Sequence, residues 1–150
     1  MKTYSFKNVT LLINEVPVKD WDEGDDVIRS MRRKEAISDK VGVDGSIAVA
    51  IRADISGSLK FKIKQTSETR EMLLNLVNLA QAGLFTPVSY RLVDSLNKEL
   101  EVGTAGYVTG YPEMVRGENI NTEEWEIICG KVIRSVVAPG GPIAKLESLL

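Results

Sequence analysis

The sequence predicts a β-rich α+β fold, an antiparallel β-barrel or sandwich flanked by one main α-helix over about residues 67–82. Three observations lead there. Residues 58–64 alternate strictly, with Leu59, Phe61 and Ile63 on one side and Lys60, Lys62 and Lys64 on the other, the pattern of a half-buried strand. Directly after it, Leu73, Leu76, Val77 and Ala80 recur at i, i+3, i+4 and i+7, the stripe of an amphipathic helix. Elsewhere the apolar residues alternate in short runs bounded by Gly, Asn and Asp, with no second convincing helix. A parallel βαβ arrangement would need several helices between its strands, so the pattern argues against it.

Taken in order, residues 3–13 read as a first strand, led by Tyr4 and Phe6 and carried by Val9, Leu11 and Ile13. Asn14 and Glu15 make its turn, and residues 16–18 return as a short strand. Residues 21–40 lack a clear period and read as an extended arm or an irregular strand pair. Asp44-Gly45, between Val41, Val43 and Ile47, Val49, is a hairpin signal, because both central residues of the favoured two-residue turn take positive φ. A strand over residues 46–55 follows, with Val49, Ile51, Ala53 and Ile55 on one face, and Ser56-Gly57-Ser58 joins it to the lysine-striped strand as a second hairpin.

Thr66 and Ser67 can accept hydrogen bonds from free amides at the helix start, Glu68 and Glu71 place negative charge at its positive end, and Gly83 suits its C-terminal stop. Beyond it, residues 86–92 read as a strand, 94–98 as a turn and 100–111 as extended chain, with Gly103, Gly106 and Gly110 marking bulges or close backbone approach. Residues 112–121 form a loop. A last strand, 125–137, carries Trp125, Ile127, Cys129 and Ile133 on one face and Ile128, Val132 and Val136 on the other. Pro139, Gly140, Gly141 and Pro142 then set off a C-terminal tail, residues 138–150, as a tether. The whole reads as a single domain over 1–150 with an arm at about 20–45, since a chain of this size buries roughly two thirds of its unfolded surface.

Composition removes several function classes. A hydrophobic fraction of 43%, a charged fraction of 27% and a net charge of −2 describe an ordinary globular chain and disfavour tight electrostatic binding to nucleic acid. No apolar run approaches the ~20 residues of a membrane-spanning helix, so no membrane anchor is expected. MKTYSFKNVT has no signal-peptide core, which places the chain in the cytoplasm when made. With no histidine, imidazole bases, triads and a thiol–imidazole pair are absent. Cys129, the single cysteine, reads as a small buried hydrophobe. Gly103, Gly106 and Gly110 miss the dinucleotide-binding spacing, and Gly130-Lys131 lacks the upstream glycine of a phosphate loop. Asn8-Val9-Thr10 matches a glycosylation triplet by chance, within a strand. We expect no catalytic residues, no cofactor and no metal.

The charged residues are the candidates for contact. Asp22, Glu23, Asp25 and Asp26 surround Gly24 and match no EF-hand, so a solvated or intersubunit acidic loop is preferred over a cation site. Arg29, Arg32, Arg33 and Lys34 follow within a few positions. An acidic patch leading into a basic one suits head-to-tail contact between copies as well as a plain surface loop. Lys60, Lys62 and Lys64 form either a solvated strand face or a stripe that pairs with acids on a neighbouring subunit.

The N-terminal YSFKNVTLLIN, the long loop, VGVDGSIAVAIRADISGSLKFKIKQTSETREMLLNL and the strand opened by EEWEIICGKV together resemble, over residues 3–137, the tail-tube proteins of contractile-tailed bacteriophages. The most specific part is the Gly-containing turn, the alternating strand, and QTS entering a Leu-rich helix. The resemblance implies a structural protein of the virion, six copies closing into a ring, and rings stacking into a hollow tube that conducts DNA inside a sheath. It also implies sheath, baseplate and tail-terminator partners and assembly in the host bacterial cytoplasm. Strands of the six copies would join in one inner barrel, and the arm would reach neighbouring subunits. Tubes of secretion systems and pyocin-like particles share the architecture. The alternatives are a monomeric β-sandwich adaptor, such as a tail-completion or baseplate module, and a small carboxylate or thiol enzyme.

Overall fold

The computed structural model describes residues 2–136. The expected tail at 138–150, and Val137 at the end of the expected last strand, lie outside the described residues. Seven strands form one antiparallel sheet: β1 (Val9–Ile13), β2 (Val16–Pro17), β3 (Ile28–Arg32), β6 (Gly57–Lys64), β7 (Val88–Asp94), β8 (Glu99–Val108) and β9 (Thr122–Val136). Their order is β2-β1-β7-β8-β9-β6-β3. Two further strands, β4 (Ile37–Val41) and β5 (Ile47–Ile51), pair only with each other. The helix α1 spans Thr69–Gln81.

The sheet bends until its two ends share one core. Leu11 and Ile13 of β1 pack in the same cluster as Leu59, Phe61 and Ile63 of β6, with Tyr90, Trp125, Ile127 and Cys129 between and Leu73 and Val77 of α1 among them. The end strands β2 and β3 are not bonded to each other, so the sheet is open and sandwich-like rather than a closed barrel.

β6 follows its alternation fully. Gly57, Leu59, Phe61 and Ile63 are buried, and the lysines lie on the opposite face. The helix starts slightly later than its pattern suggests, and Ser67 is the residue that fixes it. Its Oγ accepts from Thr69 N at 3.2 Å and donates to Lys19 O at 2.7 Å, while Thr69 Oγ1 accepts from Lys19 N at 3.0 Å. The helix entry is thereby tied to the segment after β2. Gly83, with φ +87°, ends it. Asn14 and Glu15, at φ 50° and 66°, make the expected tight turn between β1 and β2.

Four expectations are corrected. The first strand does not run from residue 3: Ser5 caps a 3-10 turn at Phe6–Asn8. That turn brings the Phe6 ring edge-on to Trp21, with centroids 5.7 Å apart. Second, the basic half of the arm is an ordinary edge strand, because β3 pairs with β6 along its whole length. The partner of β6 on that side is therefore β3, and Ser56-Gly57-Ser58 does not close a hairpin. Third, the strand expected at 46–55 shortens to β5 and leaves the main sheet. Its hairpin with β4 forms, but through residues 42–46, with Gly45 at φ +84° and Asp44 outside the positive-φ region. Asp44 Oδ1 instead accepts from Ser46 N at 3.1 Å and Ser46 Oγ at 2.7 Å.

Fourth, the inward face of β9 changes parity. Glu123, Trp125, Ile127 and Cys129 are buried, and then Val132 rather than Ile133. β8 does the same, since Gly106 faces Cys129 while Gly103 faces Val132. Ala105, at φ 54°, lies opposite Gly130 where both strands take up one extra residue. The β8–β9 pairing keeps its register through this paired irregularity, and β7 absorbs it as a shift between Val88 and Tyr90. Tyr90 lies over Gly103, where a Cβ would fall 2.2 Å from its ring.

Candidate assembly surface

The charged residues singled out in the sequence fall into three groups. On the outer face of β6 and β9 they are largely neutralised within the subunit. Lys60 and Glu126 are cross-strand partners whose charged groups lie 3.5 Å apart. Lys62 Nζ donates to Asp26 Oδ2 at 3.1 Å, and Arg29 donates to Glu124 at 3.1 Å. Lys62, through that hydrogen bond and its charge, holds the Asp26 carboxyl below the usual carboxylate range. Such pairs are exposed and screened by water, so they set charge pattern more than stability.

A second group holds the arm onto the sheet. Arg32 donates from Nε and one terminal nitrogen to Val132 O, at 2.9 and 2.8 Å. Asp22 accepts from Thr122 Oγ1 at 2.6 Å, whereas Lys34, 3.8 Å from Asp54, ties the chain after β3 to the chain before β6 and not to the sheet. Among the described residues, the third group, Glu23, Asp25, Arg33 and Lys64, has no ion-pair partner. The acidic loop and the basic strand are thus joined at Asp26–Lys62, and the structure does not gather all eleven candidates into one patch.

Two buried carboxylates escaped the sequence reading. Glu101, 3% exposed, accepts from Tyr90 Oη at 2.9 Å and from Arg134 Nε at 2.7 Å. Arg134 also donates to Ser30 Oγ at 3.0 Å, which links β8, β9 and the edge strand β3. Glu123, 1% exposed, pairs with Arg70 at the helix start at 2.7 Å, at an angle outside hydrogen-bonding geometry. Both are structural ties between elements. No group of three or more His, Cys, Asp or Glu among the described residues is placed to hold a metal ion.

The feature that stands apart is the β4–β5 hairpin. Cross-strand pairing puts Ile37 opposite Ile51, Asp39 opposite Val49 and Val41 opposite Ile47, so these side chains share one face. That face is uncovered: Val49 is 60% exposed and Ile51 84%. The other face carries Ser38, Lys40, Ala48 and Ala50. A two-stranded hairpin with its apolar side in water is marginal by itself, and a contiguous exposed apolar face marks an interaction surface. Periodicity alone does not separate an apolar face covered by its own core from one covered by another chain, so the sequence reading passed over it.

The comparisons with known proteins bear on the family and the fold. Residues 1–136 match the family described as the bacteriophage PhiTE tail tube protein. A search of curated proteins gives no match. Among solved structures, a chain of the sheath–tube complex of the extracellular contractile injection system PVC, in the extended state, superposes with a TM-score of 0.62. It is 8% identical, over 90% of this chain and 93% of that one. A chain of the PVC sheath/tube terminator gives 0.58 at 9% identity, over 90% and 98% of the two chains. The anti-feeding prophage tube-terminating cap gives 0.55 at 6% identity, over 91% and 93%. At these identities the likeness concerns the fold, which is that of tube proteins of contractile systems. With most of its length matched by a family of structural tail components, this non-enzymatic chain belongs to the bacteriophage PhiTE tail tube protein family.

Proposed function

We propose that the protein is the repeating subunit of a phage tail tube. Six copies close into a ring, and rings stack into a hollow channel that conducts DNA inside a contractile sheath. The observation that carries this reading is the uncovered apolar face of the β4–β5 hairpin, on Ile37, Val41, Ile47, Val49 and Ile51, in a chain of tail-tube family. Burying that face against a neighbouring copy removes apolar surface from water and gives the hairpin the packing partner it lacks. The open edges at β2 and β3 supply two further places where strands of adjacent subunits add to one another. The arm at about 20–45, with the charged residues left unpaired on it, supplies intersubunit contacts, and the sheath, baseplate and terminator are the outer partners. Assembly takes place in the host bacterial cytoplasm and ends in the virion.

Conduction requires a lumen that does not hold phosphate. Lys60 and Lys62 face Glu126 and Asp26 within the subunit, which supports a neutral or acidic channel wall. Negative-stain microscopy of the purified protein, alone and with its particle, tests the proposal: stacked six-fold rings are expected. A protein that is monomeric in solution and absent from the tube of its particle overturns it, as does a lumen lined by a ring of unpaired lysines at 60, 62 and 64.

The likeness to a tube terminator and a tube cap favours one second reading, a terminal ring or completion module on the same fold. Copy number separates the two. Many rings' worth of protein per particle supports the tube, and a single ring supports the terminator.

A further inference from the structure

Asp44-Gly45 is the only place in the chain where an aspartate or asparagine precedes a glycine. At such a pair the amide nitrogen of the following residue can attack the aspartate Cγ and close a five-membered succinimide, and glycine, with no Cβ, leaves that nitrogen open to the approach. The bond between Gly45 N and Asp44 Cγ forms, and the amide proton leaves with the carboxyl hydroxyl as water. Water then adds to one of the two imide carbonyls and reopens the ring. Addition at Cγ restores aspartate, whereas addition at the main-chain carbonyl of Asp44 leaves the chain running through Cβ and Cγ, as isoaspartate. One water is released and one is consumed, so no other reactant is needed.

The β4–β5 turn presents this pair to solvent and restrains both reacting groups. Residues 42–46 are all exposed, and nothing lies within 4 Å of a Cβ placed on Gly45, so water and space for the reaction are present. Gly45 N, the nucleophile, donates to Gly42 O at 3.0 Å. The Asp44 carboxylate, the electrophile, accepts through Oδ1 from Ser46 N at 3.1 Å and from Ser46 Oγ at 2.7 Å. That carboxylate–hydroxyl pair lies against Gly42, where a Cβ would fall 2.8 Å from Asp44 Oδ1 and 3.0 Å from Ser46 Oγ. Ring closure must free the carboxyl from Ser46 and turn Cγ toward Gly45 N. The Ser46 hydroxyl, and its amide second, also hold the Asp44 carboxyl below the usual carboxylate range, so less of the neutral acid, from which water leaves most readily, is present.

Asp54 is the comparison within the same molecule. Its Oδ1 accepts from Ser56 N at 3.0 Å and from Ser56 Oγ at 2.6 Å, the same arrangement, but the intervening residue is Ile55, whose stiff branched side chain obstructs its own amide.

We propose that Asp44-Gly45 is a guarded isomerisation site, with Ser46 as the residue that keeps the Asp44 carboxyl from the Gly45 amide. Isoaspartate adds a main-chain atom to the turn that sets Val41 opposite Ile47 and Ile37 opposite Ile51, so the register of the hairpin, and with it the face the hairpin presents, depends on this guard. The guard is a property of the single subunit and holds whether or not rings form.

Prolonged warm incubation of the full chain at mildly acidic pH tests it. Isoaspartate at position 44 is quantified by electron-transfer mass spectrometry, and each protein is also aged in denaturant as its own reference. Folded wild type is expected to isomerise at least about fivefold more slowly than its denatured reference, the rate equivalent of one ordinary hydrogen bond of about 1 kcal/mol. Folded Ser46→Ala is expected to react about fivefold faster than folded wild type, while Ser46→Thr, which keeps the hydroxyl, stays slow. Native amide exchange reads the β4–β5 pairing in the same samples. The proposal is overturned if folded wild type ages as fast as the denatured chain, if Ser46→Ala is no faster than wild type, or if Asp54 keeps pace with Asp44 in the denatured reference. A rise in Ser46→Ala that comes with lost amide protection across β4–β5 overturns it as well, since an unpaired hairpin then accounts for the rate.

Discussion

Cys129 sits fully buried on β9, so close to β8 that a Cβ on Gly106 would meet its Sγ at 2.6 Å. Burial first, and the Glu101 carboxylate second, push its thiol up to about 12. The same two causes raise the Tyr90 phenol well above its usual range. These raised values favour the neutral forms in the folded chain. In the unfolded chain the thiol ionises near pH ~8.5, so folding loses free energy as pH rises above that point, continuing until about 12. One such group costs up to ~1.4 kcal/mol per pH unit inside the window, and Tyr90 adds in the same direction above pH ~10. Urea midpoints measured from about pH 7.5 to about pH 10 should fall with rising pH, and Cys129→Ala should flatten the first part of the slope. Native protein should also resist alkylation near neutral pH and react only on unfolding. A prompt native reaction would show that Sγ is accessible. The bland sequence reading of this cysteine, a small buried hydrophobe, holds for the same physical reason that makes it inert.

At the scale of elements, the paired irregularity at Ala105 and Gly130 decides which side chains reach the core from β8 and β9. Gly103 is the position it makes indispensable. Tyr90 is 1% exposed and its hydroxyl is held by Glu101, so its ring has nowhere to move when a Cβ arrives 2.2 Å away. Gly103→Ala should therefore destabilise by about 1–3 kcal/mol in chemical denaturation, as overpacking does. Gly83→Ala also strains a left-handed residue, but nothing lies within 4 Å of its Cβ, so only the backbone cost of about 1–2 kcal/mol applies. Leu73, the fully buried anchor of α1, should cost about 2–5 kcal/mol as Leu73→Ala. Elements whose local pattern and tertiary role coincide were legible in the sequence: β6 with its alternation, α1 with its stripe, the Asn14-Glu15 turn. The parity change in β9 was not, because a bulge matched on both strands leaves no trace in either strand's composition. The edge strand β3 was also hidden. Its burial pattern is weak, and it is held by Arg32 on Val132 and Arg134 on Ser30, contacts about a hundred residues apart in sequence.

For the whole molecule, the question is where apolar surface goes when one copy is not enough to bury it. The sheet satisfies itself around Trp125 and Phe61, yet the β4–β5 hairpin keeps five apolar side chains in water, Ile37, Val41, Ile47, Val49 and Ile51, around Asp39. An isolated subunit gains nothing from that face, so changing it should leave the monomer's stability within about 0.5 kcal/mol, as for surface positions generally. Assembly responds differently if the face is the contact between copies. A second carboxylate at its centre would have to be desolvated beside the like charge of Asp39, a cost of several kcal/mol per interface that repeats around a closed ring. Val49→Glu, opposite Asp39 in the middle of the face, should therefore stay close to the wild-type melting temperature as a monomer and lose rings and tubes by light scattering and microscopy. Ser38→Glu, on the other face, should lose neither. A Val49→Glu protein that still forms tubes, or one that melts several degrees lower as a monomer, would show that the hairpin packs within its own subunit and that the ring contact lies elsewhere.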